Sequence, residues 1–120
     1  MPVKTGAQLI NEAKQRVRET SVSQVRDMQA HGVPAVYLDV REQNEWNLGH
    51  LPQATFIPRG TLETTVEQRV PRDATVVVYC ASGNRSALAA QTLLEMGYTS
   101  VSHLAGGFRA WVAGGGDVDG

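Results

Sequence analysis

The run Val76-Val77-Val78-Tyr79, followed at once by Cys80-Ala81-Ser82-Gly83-Asn84-Arg85-Ser86 and then by Ala87-Leu88-Ala89-Ala90, constrains this chain most. Four consecutive β-branched or aromatic residues need burial on both faces, as in the interior of a parallel sheet. The alanines and leucines that follow, Leu93-Leu94 included, are strong helix formers with a wide apolar face. Strand, short loop, helix is the arrangement that aims several backbone N–H groups and the positive end of a helix dipole at one point. At that point stands Cys80, the single cysteine of the chain. A free thiol titrates near ~8.5, and such surroundings lower that value. Each pKa unit is worth roughly 1.4 kcal/mol of preference for the thiolate.

That one cysteine excludes an internal disulfide and a four-cysteine zinc site. His31, His50 and His103 lie far apart without metal-ligand spacing, so no metal is expected. With 120 residues and a formal net charge of −1, the chain fits one domain with its own core. It carries no basic excess suited to nucleic acid or an anionic membrane. No apolar run reaches the length of a membrane span, and no basic-then-apolar leader opens the sequence. A cytoplasmic setting is the expectation.

Ahead of the cysteine, Ile10, Ala13 and Val17 at helical spacing predict an outer amphipathic helix over residues 6–17. Residues 18–20 read as a short edge strand. Ser21 and Gln24 form a capping box for a helix over 22–30 that buries Val25 and Met28 and closes at His31-Gly32. Residues 35–40 are a buried strand, 41–48 a helical turn or two, 49–54 a loop, and 55–57 a short strand stopped by Pro58. Leu62, Val66 and Val70 predict a helix over 61–70. Behind the cysteine helix, Gly97 is a C-cap, 100–104 a strand, 105–107 a turn and 108–112 a short helix. The glycine-rich residues 114–120 read as a frayed tail. Strands alternating with helices predict an α/β fold with a mostly parallel sheet. Asp39-Val40-Arg41, Cys80 and Ala105-Gly106-Gly107 all follow strand ends, where ligands bind in such sheets.

Among these residues Cys80 is the nucleophile candidate, since its place outweighs the general tendency of free cysteine to be buried filler. Gly83 allows the loop to curl with its N–H groups inward. Arg85 offers charge to an anion, and Ser86 serves as an N-cap or as a donor to substrate. Asp39 and Arg41 read as an ion pair that ties loops together. Glu45 and Trp46 read as packing and surface, His50 as a loop-positioning residue, and Phe108 and Trp111 as core aromatics.

Three stretches in order resemble the rhodanese (sulfurtransferase) family: Leu38 to Glu42 with Glu45-Trp46, Gly49 to Ala54 and Ile57-Pro58; then Tyr79 to Ser86; then Leu104 to Trp111. The resemblance spans residues 21–112 and leaves the first twenty residues outside. It implies an N-terminal helical extension (1–20), a rhodanese-like domain (21–113) and a tail (114–120). The implied fold is a central five-stranded, mostly parallel sheet with helices on both faces. The implied chemistry is sulfur transfer from thiosulfate through a persulfide on Cys80 to cyanide or a cellular thiol, without a cofactor. Backbone N–H groups of Ala81, Ser82, Gly83, Asn84, Arg85 and Ser86 would hold the persulfide, with Arg85 the nearest cation and Asp39 and Arg41 in support. Four residues separate Cys80 from Arg85, whereas cysteine-dependent phosphatases and arsenate reductases of this kind carry five. Mercaptopyruvate enzymes of the family place glycine after the cysteine and Val-Thr near the loop end, unlike Ala81 and Asn84-Arg85. A persulfide carrier serving a protein acceptor is the alternative of a different class, with the first helix as a cap over the fold or a docking element.

Overall fold

The computed structural model describes residues 3–120. Five strands form one all-parallel sheet in the order β1-β5-β4-β2-β3. They are β1 (Arg18–Thr20), β2 (Val36–Asp39), β3 (Ala54–Phe56), β4 (Thr75–Tyr79) and β5 (Ser100–Leu104). The helices are α1 (Gly6–Arg16), α2 (Val22–Ala30), α3 (Gln43–Asn47), α4 (Leu62–Arg69), α5 (Asn84–Glu95) and α6 (Gly107–Ala113). A 3₁₀ turn over Arg59–Thr61 leads into α4, so the helical course begins two residues before the expected 61.

The valine run takes the central position in the strand order, with β5 and β2 on either side, and four of the five residues of β4 are buried. Alternation along it divides the core. Val76, Val78 and Cys80 pack with Leu38, Leu62, Val66, Ala87, Ala90, Leu93 and, from α1, Ala13. Val77 and Tyr79 face the other way, with Tyr37, Val25, Leu51, Leu104 and Trp111. Each fully buried Leu or Val contributes roughly 1.5–3 kcal/mol relative to exposure.

Helix α1 lies against α5, with Ala13 fully buried, and hands the chain directly to β1, the strand that closes one edge of the sheet beside β5. Both α1 and α2 begin with capping boxes, Thr5 with Gln8 and Ser21 with Gln24. Both carry the Ser/Thr-x-x-Gln pattern in the sequence, Thr5-Gly6-Ala7-Gln8 as plainly as Ser21-Val22-Ser23-Gln24.

The parallel register sets Asp39 opposite Tyr79, and Val78 opposite His103. The chain therefore leaves β2, β4 and β5 at the same end, bringing Arg41, Cys80 and Gly106-Gly107 together.

The frayed tail expected from glycine content is not what forms. Residues 114–120 fold back over α6. Trp111 Nε1 donates to the Asp117 carbonyl at 2.7 Å, and Asp119 and His50 exchange backbone hydrogen bonds at 2.9 Å each. A Cβ on Gly116 would meet the Trp111 ring at 2.2 Å. Here glycine serves contact with an indole, a role that composition cannot distinguish from flexibility.

Candidate active site

Cys80 follows the last residue of β4 and is 1% exposed. Its sulfur is ringed by donors from the loop ahead of α5. The Gly83 N–H lies 3.1 Å from Sγ and the Ser86 N–H 3.3 Å. The Ser86 hydroxyl stands 3.5 Å away. Burial opposes a charge on the sulfur, but hydrogen bonds from the Ser86 hydroxyl and from the Ser86, Gly83 and Ser82 amides outweigh it. The thiol pKa falls below its ordinary value. Gly83, at φ +107°, is the N-cap of α5. A Cβ there would find its nearest neighbours at 3.8 Å, so backbone conformation and not space requires glycine. Ser86 is thus not the cap: it sits inside the first turn, fully buried.

The loop is also held from behind. Gly106, at φ +74°, and Gly107, at φ +63°, turn the chain so that α6 opens against the cysteine loop. The Phe108 N–H donates to the Cys80 carbonyl at 2.8 Å, and the Arg109 N–H to the Ala81 carbonyl at 3.1 Å. With those carbonyls engaged on the far side, the loop amides are left to face Sγ.

Arg85 differs from the free cation expected. Asn84 is exposed at the start of α5. Arg85 does not stand free for an anion. Its Nη1 and Nη2 donate to the two carboxylate oxygens of Glu45 at 2.8 and 3.0 Å. This pairing holds the Glu45 carboxyl down to about 2 and raises Arg85. Glu45, read as surface, is therefore part of the loop's surroundings. Asp39 and Arg41 form a buried pair, with Nη2 to Oδ2 at 2.8 Å and Nε at 3.1 Å from both oxygens. Arg41 also donates to the Gly49 carbonyl at 2.7 Å and lies 4.3 Å over the Phe108 ring. Burial works against the Arg41 charge and the Asp39 carboxylate more than restores it. The pair braces β2, the 49–51 loop and α6. Beside it, His50 stacks on Trp46 with ring centroids 3.5 Å apart.

One residue with no signal in the sequence is His103, 1% exposed on β5. Its Nδ1 lies 3.1 Å from Ser86 Oγ, which links it to the sulfur. Burial keeps the imidazole pKa below its ordinary value. Only the parallel register of β4 and β5 brings it there. Among the described residues, no three His, Cys, Asp or Glu side chains cluster as a metal site.

Known proteins resemble this chain in sequence and in fold. The curated relative "probable adenylyltransferase/sulfurtransferase MoeZ" of Mycobacterium tuberculosis is 31% identical over 104 residues, covering 84% of this chain and 26% of that protein. The chain thus spans about a quarter of that relative's length. A protein of unknown function from Rhodopseudomonas palustris, described as a possible tyrosine phosphatase, superposes with a TM-score of 0.88 at 30% identity. That match covers 99% of both chains. A thiosulfate sulfurtransferase from Pseudomonas aeruginosa gives 0.79 at 30% identity over 85% of this chain and 20% of that one. The rhodanese-like domain profile matches residues 21–114, and the chain belongs to that family.

Proposed function

We propose that the chain is a sulfurtransferase that carries sulfane sulfur from thiosulfate to a thiophilic acceptor as a persulfide on Cys80. What carries the reading is the convergence on one sulfur of the Gly83 and Ser86 amides and the Ser86 hydroxyl, at 3.1, 3.3 and 3.5 Å. Such donors stabilise the thiolate and, after it, a persulfide anion. The Cys80 thiolate attacks the outer sulfur of thiosulfate. The new S–S bond forms as the old one breaks, and sulfite leaves with the electron pair. Cyanide or a thiolate then attacks the outer sulfur, and Cys80 departs as thiolate. One cysteine suffices for both steps. A sulfur only 1% exposed suits a small donor better than a phosphorylated protein side chain. Names of relatives agree with the class, while thiosulfate rests on the loop chemistry.

A second reading, a cysteine-dependent phosphatase, is favoured by the R. palustris neighbour's description. Against it stand the shorter loop and the engagement of both terminal Arg85 nitrogens by Glu45, since a phosphatase uses that fork for phosphate. The deciding assay follows thiocyanate from thiosulfate and cyanide, with intact mass after thiosulfate alone and p-nitrophenyl phosphate as a parallel substrate. The expected result is turnover in the wild type, none in Cys80→Ser, and one added sulfur. A stable added sulfur with negligible turnover assigns the carrier role, awaiting a protein acceptor. No added sulfur together with phosphate release would overturn the proposal.

A further inference from the structure

Ser86 bridges two buried groups of opposite habit, a thiol that must lose a proton and an imidazole with one nitrogen lacking any hydrogen bond. Sγ to Oγ is 3.5 Å and Oγ to His103 Nδ1 is 3.1 Å. On the far side, His103 Nε2 is buried without a hydrogen-bond partner. The nearest carboxylate there is Glu19 on β1, opposite His103 in register, with Oε1 at 3.7 Å. The Glu19 side chain is 58% exposed and so reaches water. The charged and titratable groups acting on the ring are Cys80 through Ser86 of α5, Glu19 of β1 and Lys14 of α1.

We infer that Ser86 and His103 form a proton wire for Cys80, in which His103 is a positioning residue whose tautomer is set by the state of the sulfur. A hydroxyl has a single proton to donate. With Cys80 as a thiol, S–H points to Ser86 Oγ, the Ser86 hydroxyl donates to Nδ1, and the ring carries its proton on Nε2. When the thiolate forms, the S–H bond breaks and its proton joins Ser86 Oγ. The original Ser86 proton passes to Nδ1, and the Nε2 proton leaves past Glu19 to water. The sulfur gains one negative charge, one proton is released, and the ring is neutral before and after. Ser86 now donates to sulfur and accepts from Nδ1–H, so the anion is held by a hydroxyl that is itself hydrogen-bonded. A ring's tautomer follows the hydrogen bonds its two nitrogens make. Nε2 makes none here, so Ser86 decides it. Burial, which disfavours the charged form of the ring, suits it to this shuttling.

The inference deepens the sulfurtransferase reading, but its test needs no sulfur donor, so either can fail alone. Imidazole 15N shifts of His103 are followed from pH 5 to 10 beside thiolate absorbance at 240 nm. The expected result is a ring protonated on Nε2 while Cys80 is a thiol and on Nδ1 once it ionises. The same titration in Cys80→Ser should show one tautomer throughout. In His103→Phe and in Ser86→Ala, iodoacetamide alkylation at pH 7 should slow about tenfold, one pKa unit. A tautomer unchanged across the thiol titration in the wild type, or a change that persists in Cys80→Ser, overturns the inference. Unchanged alkylation in folded Ser86→Ala overturns it as well.

Discussion

Glu45 and Arg85 lie forty residues apart, and their bidentate pair means that the cation beside the cysteine loop already has an anion. An anionic donor competes with the Glu45 carboxylate for it. Glu45→Gln is therefore expected to lower KM for thiosulfate about fivefold, roughly 1 kcal/mol for a partly exposed pair, with kcat little changed. Steady-state kinetics at fixed ionic strength checks this. The same pair predicts a pH dependence of stability. The carboxyl is depressed to about 2 when folded, against about 4.3 when unfolded. Its contribution is present in full above the unfolded value and disappears as pH falls through the folded one. Urea unfolding of wild type and Glu45→Gln should differ by a constant amount from pH 7 down to 5 and converge towards pH 2.

At the scale of elements, the cysteine loop is shaped by α6 as much as by its own sequence. A Cβ on Gly107 would sit 2.5 Å from the Cys80 carbonyl oxygen and 2.7 Å from Ala81 C and O. Gly107→Ala should push α6 away and release the hydrogen bonds from Phe108 and Arg109. Combined with strain at positive φ, a loss of about 2–4 kcal/mol is expected by urea melting. Thiolate absorbance at neutral pH should fall with it, since the loop amides lose their orientation. This clasp was not legible from the sequence, because both of its partners are backbone groups. The strands were legible: runs such as Val76 to Tyr79 have one use in a sheet. Cys80 and its glycine were legible for the same local reason. The Glu45–Arg85 and Ser86–His103 contacts were not, since each depends on how separate segments align across the sheet. The tail was misread because glycine content reports permissiveness and says nothing of the Trp111 ring that occupies the permitted space.

Across the whole molecule, residues 6–20 belong to the same folded body as the rest. Ala13 of α1 contributes to the core that contains Cys80, and β1 covers what would otherwise be the open edge of β5. The R. palustris structure matches over 99% of the chain, this segment included. Ala13→Asp is expected to cost about 3 kcal/mol or more, a buried charge without a partner, measured by chemical denaturation. A lesser loss would show α1 to be separable from the body. Placing the only cysteine, itself buried, at the end of the middle strand has another consequence. A reagent too bulky to enter the folded loop can label the protein only through an opening fluctuation, at a rate proportional to the open population. Every such event is reported at a single known atom. The chain thus holds its own native-state exchange probe, and its labelling kinetics read out the free energy of opening around the sulfur.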